Sequence, residues 1–250
     1  MPKCGTTALA AYLQKHPDVM ISEPKEPHYF SAYYDELDYE DYIRSCYKRY
    51  KGEKIVGEAT PLYLRFPWAL ERMAAHCPDA KFIALFRNPV DRAYSQWWMF
   101  YSRAMEPLSF ADAINACFLQ DPKSEENQTL WQQYVRHIKA GKTIPVRPYL
   151  SNGYYAKYLR EFLKFFRRDQ ILIIQTEEFH KNIRKTMDDV YHFLNISAYH
   201  DESIRRRNEA YGTAARKVFA ILKRTGITRF SQSRSEERRV GKECRSRVWS

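Results

Sequence analysis

The sequence predicts an α/β fold, with helices on both faces of a central parallel sheet in three α/β/α layers. Three observations carry this. Short apolar runs of the kind buried on both faces recur along the chain. They alternate with amphipathic stretches at helical spacing, the order that parallel strands joined by crossover helices require. The 250 residues, 44% hydrophobic and rich in Tyr (19) and Phe (14), are enough for one mid-sized core.

The strands are expected at 19–21 (Val-Met-Ile), 54–57 (Lys-Ile-Val-Gly), 81–86 (Lys-Phe-Ile-Ala-Leu-Phe) and 171–174 (Ile-Leu-Ile-Ile). A helix over 7–16 carries Leu9, Tyr12 and Leu13 on one face and stops at Pro17. Helices over 67–77 and 89–105 both open on proline, which a first helical turn tolerates. Further helices are expected over 153–166 and 182–195. The stretch 120–148 is polar and holds Pro122, Pro145 and Pro148. It reads as a loop–helix–loop insertion with Trp131, Tyr134 and Ile138 on the helix face. Such an insertion is either a ligand-binding wall or a plain surface excursion.

The formal net charge is +11, which invites a nucleic-acid reading, but its distribution removes it. Residues 203–250 hold 14 Lys/Arg against 4 Asp/Glu, and residues 1–202 hold 27 against 26, so the body is nearly neutral. The stretch 231–250 is charge-dense without periodicity and is expected to be a disordered or non-native tail to a domain over 1–230. Cys4, Cys46, Cys77, Cys117 and Cys244 are scattered, with no CxxC pair, which argues against a disulfide framework and a zinc site. Reduced thiols imply a cytoplasmic setting. No apolar run reaches the roughly 20 residues of a membrane span, and no signal-peptide core follows Met1; an anchor ahead of Met1 is left open.

Pro2-Lys3-Cys4-Gly5-Thr6-Thr7-Ala8-Leu9 stands where a strand should end and a helix begin. Gly5 permits unusual φ and close backbone approach, Thr6 and Thr7 add hydroxyl donors, and the helix N-terminus supplies N–H groups. Lys3 adds a mobile cation. The segment is either an anion cradle or a helix cap with a chance Lys and Gly. It is not a Walker A loop, whose Lys follows the last Gly. With Met1 alone ahead of Pro2, the sheet is expected to lack the strand that would lead into this loop. A second segment, from Phe86 to Ser95, follows the strongest strand. Its Arg87 offers a forked guanidinium suited to phosphate. Ser95 lies about two turns into the following helix, and Asp91 with Arg92 reads as a structural ion pair.

Together the two segments resemble the PAPS-dependent sulfotransferases (PAPS, 3′-phosphoadenosine-5′-phosphosulfate). PK-x-GTT-x-L resembles their 5′-phosphosulfate loop and RNP-x-DR-x-x-S their 3′-phosphate segment, in the same order and roughly 80 residues apart. The resemblance implies a P-loop-like fold, PAPS as donor, PAP as product, and no metal. It implies donor contacts from Pro2, Lys3, Cys4, Gly5, Thr6, Thr7 and Ala8 at the 5′ end, and from Arg87 and Ser95 at the 3′-phosphate. Arg207 and Arg216 stand where the family has a late basic loop, although its Lys-Gly-Arg pattern is absent here.

Transfer to a hydroxyl or amine needs a base. Lys25-Glu26-Pro27-His28-Tyr29-Phe30 resembles the KE-x-HFF segment of heparan sulfate sulfotransferases and their bacterial relatives. Glu26 and His28, one residue apart, point the same way in extended chain. The resemblance implies Glu26 as base, with His28 assisting or serving as base itself, and Lys25 at the acceptor. Gly57 to Tyr63 resembles E-x-TP-x-Y, which implies Thr60 at the acceptor and Glu58 as a buried orienter or a partner of Lys3. Tyr154 and Tyr155 either border the nucleotide or pack in the core. The expected activity is sulfuryl transfer to a small-molecule or carbohydrate acceptor, with Lys3 on the leaving group. A PAP-binding module or inactive fragment is the second reading, and a P-loop kinase the third, disfavoured by the absent G-K-[ST]. The sequence is silent on oligomeric state.

Overall fold

Four strands form where the apolar runs lie: β1 (Val19–Ile21), β2 (Ile55–Gly57), β3 (Phe82–Phe86) and β4 (Ile171–Gln175). The computed structural model describes residues 1–120 and 127–200. Arg207, Arg216, Cys244 and the expected tail at 231–250 lie outside the described residues. β1 runs parallel to β2 with Val19 opposite Ile55, and β3 parallel to β4 with Phe82 opposite Ile171. Parallel strands in an α/β order agree with the expected class. These strands make two separate hydrogen-bonded pairs. No described strand fills the interval between the pairs, so ladder bonds, which need strands about 4.8 Å apart, are interrupted there. A cavity of about 700 Å³ is lined from both sides, by Val56 and Gly57 of one pair and Ile83 and Leu85 of the other. Met1 lies beside β3 with its nitrogen 3.3 Å from the Leu85 carbonyl oxygen.

The helices are α1 (Thr6–Leu13), α2 (Tyr39–Cys46), α3 (Pro67–His76), α4 (Pro89–Tyr101), α5 (Phe110–Phe118), α6 (Gln128–Lys139), α7 (Tyr155–Phe162), α8 (Thr176–Lys181) and α9 (Ile183–Leu194). Proline opens α3 and α4 as expected, and Asn88 caps α4 by accepting from the Val90 and Asp91 amides at 3.0 and 3.3 Å. The sequence reading did not anticipate α2, α5, α8 or a π-helical turn at Tyr29–Tyr33. Two of these begin with side-chain caps, Asp38 and Ser109. Leu70, Ala84, Phe162, Phe166 and Ile171 form a core cluster that binds α3 and α7 to the β3–β4 pair. The Phe82 ring meets Phe162 and Phe166 at 5.0 and 4.5 Å.

Within the expected insertion, α6 packs against the rest of the domain. Trp131 and Tyr134 of α6 are buried, and the Arg65 guanidinium lies 4.1 Å over the Trp131 ring. Arg65 Nη1 also donates to Ser151 Oγ, Asn152 Oδ1 and the Tyr158 hydroxyl at 3.0, 2.7 and 2.8 Å. The outer edge of α6 reaches the π-helical turn: Lys139 Nζ sits 4.6 Å over the Tyr33 ring, and Arg136 pairs with Glu36. Beyond α6, Arg147 closes on the buried Glu106 carboxylate at 2.8 Å, which also accepts from the Tyr149 hydroxyl at 2.9 Å. The expected Asp91–Arg92 pair does not form. Neighbouring helix positions point about 100° apart, so Asp91 is exposed while Arg92 turns inward to Gln96 Oε1 at 2.5 Å and to the Tyr149 carbonyl.

Because Trp131 anchors α6 to Phe66 (ring centroids 5.2 Å apart) as well as to Arg65, its loss leaves a large cavity. Trp131→Ala should lower unfolding stability by about 3–5 kcal/mol, measured by urea denaturation. A loss below about 1 kcal/mol, the range of a surface substitution, would contradict the packed placement of α6.

Candidate active site

The donor loop owes its shape to two residues in the left-handed region, Lys3 (φ 65°) and Gly5 (φ 86°). Gly5 caps α1, and its carbonyl accepts from the Ala8 and Leu9 amides at 3.0 and 3.1 Å. Glycine is needed here for its conformation rather than for room: an added Cβ would meet Leu85 and Thr176 at an ordinary 3.6 Å. Thr6 and Thr7 open the helix, so their amides belong to the turn that has no intrahelical acceptors. Pro2 and Thr6 are half-buried, Thr7 and Ala8 are exposed, and Cys4 is fully buried.

This loop lies against the carboxyl end of β3. Arg87 Nη1 reaches the Lys3 carbonyl at 3.5 Å. Burial pushes the Lys3 ammonium below its ordinary 10.5, and the positive charges of Arg103 and Arg87 push it further. Arg103, just past the end of α4, is a cation whose charge reaches Lys3 and which sequence reasoning missed. The side chain of Thr176, at the start of α8, lies 2.7 Å from the Cys4 carbonyl oxygen and 2.9 Å from that of Phe86. The Tyr155 hydroxyl donates to the Arg87 carbonyl at 2.8 Å, and its ring stacks on Phe86 at 4.4 Å. Tyr155 therefore borders the loop pair. Thr176 was also missed, although its position directly after a parallel strand is where ligand sites of α/β proteins gather. Ser95 is half-buried on α4 and makes no hydrogen bond to either loop among the described residues.

The second cluster follows β1. The Ser22 amide donates to the Gly57 carbonyl at 2.9 Å and the Ala59 amide to the Lys25 carbonyl at 3.1 Å, extending the β1–β2 ladder into both following segments. This sets Lys25, Glu26 and His28 beside Glu58 and Thr60. Lys25 Nζ lies 2.6 Å from Glu26 Oε1, and His28 Nε2 lies 3.6 Å from Glu26 Oε2. Glu26 and His28 meet as expected, but through a left-handed turn at His28 (φ 60°) instead of extended chain. Burial lifts the Glu26 carboxyl, yet the hydrogen bonds from His28 and Lys25 outweigh it and hold the group at about 2. Burial pushes His28 below its ordinary 6.5 against the opposing pull of Glu26, which leaves a neutral imidazole at pH 7. Lys139 of α6 adds a weaker push in the same direction. Glu58 is partnered by the Tyr42 hydroxyl at 2.5 Å rather than by Lys3, and burial lifts it to about 6. Thr60 is buried next to it.

Among the described residues no cluster of His, Cys, Asp and Glu could hold a metal ion. The described cysteines, Cys4, Cys46, Cys77 and Cys117, are free thiols. No described helix is long and apolar enough to cross a membrane.

Parallel strand pairs whose carboxyl ends carry a left-handed glycine loop and converging cations define an α/β protein built to handle anions. The chain belongs to the sulfotransferase family: the family model described as "Sulfotransferase domain" matches residues 1–247. It is 26% identical to the membrane-associated sulfotransferase kil1 of Dictyostelium discoideum over 82% of this chain and 57% of that protein. It is 27% identical to carbohydrate sulfotransferase 15 of Mus musculus, over 78% of this chain and 42% of that protein. A bifunctional heparan sulfate N-deacetylase/N-sulfotransferase 2 from Homo sapiens is also 27% identical, over 79% of this chain and 21% of its own length. The chain thus spans from about a fifth to under three fifths of these curated relatives. A solved sulfotransferase from Alicyclobacillus acidocaldarius superposes with a TM-score of 0.62 at 28% identity, covering 84% of this chain and 87% of that one.

The Glu26 environment has a direct consequence. Lys25→Met removes one hydrogen bond and one cation, so the Glu26 pKa should rise from about 2 toward its ordinary 4.5, as read by carboxyl NMR titration. A folded-state pKa below the unfolded one adds stability above about 4.5 that is lost as pH falls toward about 2. The variant should lose less stability across that interval. An unmoved Glu26 titration would contradict the pairing.

Proposed function

We propose that this chain is a sulfotransferase that moves a sulfuryl group from PAPS to a hydroxyl or amine, with a carbohydrate as the favoured acceptor class. The observation that supports this most is the meeting of the two phosphate motifs, Arg87 against the Lys3 carbonyl. The residues fit a polyanionic nucleotide: Lys3 and Arg87 meet at the loop that opens α1, and the charge of Arg103 reaches Lys3. PAPS would supply a sulfuryl group activated by its phosphate leaving group.

The amides and hydroxyls of the loop from Pro2 through Ala8 would hold the 5′ end, and Arg87 with Ser95 the 3′-phosphate. Lys3 would place its ammonium against the negative charge that develops on the departing 5′-phosphate oxygen. Glu26 would take the proton from the acceptor, with His28 fixing its orientation. A carboxylate held at about 2 is a poor base at neutral pH. Its work therefore requires Lys25 to leave it, and an anionic group on the acceptor would draw Lys25 away. Thr60 would border the acceptor. The position of α6 beside the π-helical turn supports the insertion at 120–148 as a wall of that side. The names of the relatives, which speak of carbohydrate and heparan sulfate, support the acceptor class.

The finer architecture we favour is P-loop-like, with the two strand pairs as halves of one sheet between helical layers, in a domain over 1–230. The free cysteines support a reducing, cytoplasmic setting.

Radiolabel transfer from [³⁵S]PAPS to a panel of glycans and small hydroxyl and amine compounds tests the reading. The wild type should label a carbohydrate, and Lys3→Ala should lower turnover on the order of 10²-fold or more. Near-normal turnover by Lys3→Ala, or no transfer to any acceptor, would overturn it.

A further inference from the structure

Two hydroxyls, one buried and one half-buried, join the donor loop to the end of β3, and neither belongs to a phosphate motif. Thr176 is 3% exposed, and its Oγ1 lies within hydrogen-bond reach of Cys4 O in the loop and Phe86 O at the strand end, at 2.7 and 2.9 Å. A threonine hydroxyl has one proton to give, so it is shared between, or alternates over, two carbonyls of different motifs. Its γ-methyl stands where a Cβ on Gly5 would touch it at 3.6 Å, so the side chain also backs the left-handed turn. Tyr155 reaches the same place from α7, donating to Arg87 O at 2.8 Å, with its hydroxyl 4.0 Å from Cys4 Sγ. The carbonyls of Cys4, Phe86 and Arg87 are therefore tied by two side chains that come from outside both motifs.

We propose that Thr176 is a positioning residue that sets the span between the 5′ and 3′ phosphate sites, with Tyr155 as its second anchor. The inference rests on the sulfotransferase reading given above. Its consequence is specificity. A nucleotide with phosphates at both ends needs the loop and Arg87 at one fixed separation. A nucleotide with a 5′-phosphate alone uses the loop and tolerates drift of Arg87. Loss of the tie should thus penalise the first ligand and spare the second, whereas general loosening of the fold would penalise both.

PAP and AMP differ only by the 3′-phosphate, which makes their affinity ratio the test, read by isothermal titration with AMP measured by displacement. Thr176→Val keeps the shape and removes the hydroxyl. It should weaken PAP about tenfold, the scale of one hydrogen bond, and leave AMP within about threefold. Thr176→Ser should restore the wild-type ratio. Tyr155→Phe, which keeps the stack on Phe86, should lower the ratio in the same direction and keeps the test decisive if the valine variant does not fold. A wild-type ratio in folded Thr176→Val, or in Tyr155→Phe when the valine variant cannot be made, overturns this inference alone. Failure of the wild type to prefer PAP overturns the sulfotransferase reading, and this inference with it.

Discussion

The contact between the loop at residues 2–5 and the carboxyl end of β3 is the constraint on which the rest of the site depends. An anion site built from backbone amides has no strength of its own unless the backbone is held in shape. Here Lys3 and Gly5 adopt left-handed conformations, which cost free energy at a non-glycine residue and persist where surroundings enforce them. The enforcement comes from Thr176, Tyr155 and Arg87, all of which reach main-chain oxygens of the two motifs. A loop so held presents its charges without reorganising when a ligand arrives, and preorganisation of this kind gives electrostatic catalysis most of its power.

The acceptor side works by contrast between two carboxylates. Hydrogen bonds hold Glu26 at about 2 against its burial, and burial lifts Glu58 to about 6 against its bond from Tyr42. Opposed environments of this sort assign separate tasks to like groups. Glu26 sits in a cluster with Lys25 and His28, where we propose that the proton chemistry takes place, while Glu58 is spent inside the domain on Tyr42. The ladder bonds after β1 and β2 place both where they are, so the strands serve the chemistry even though they are only three residues long.

Much of this was legible in the sequence. The strands fell within a residue of the apolar runs, because parallel strands in an α/β order favour apolar residues at successive positions. The donor loop was legible because backbone recognition of an anion demands Gly and Lys at fixed places, and Glu26 with His28 because their spacing is local. The unexpected helices are short, and α2 is also polar, with Tyr42 and Cys46 alone buried, so that periodicity is a faint signal over its eight residues. Thr176 and Arg103 were out of reach for another reason. Thr176 lies 172 residues from Cys4, and nothing in a one-dimensional pattern records that approach. The Asp91–Arg92 pairing failed because adjacency along a helix is not adjacency in space. The expected parallel strands are present, as two pairs with a cavity between them.

A crystal structure of the protein with PAP bound tests the central claim most directly, with the phosphorus positions as the readout. Our account places the 5′-phosphate at the amides of Gly5, Thr6 and Thr7 beside Lys3, and the 3′-phosphate between Arg87 and Ser95. PAP lodged instead in the cavity between the strand pairs, or held through one phosphate with Arg87 uninvolved, would contradict it.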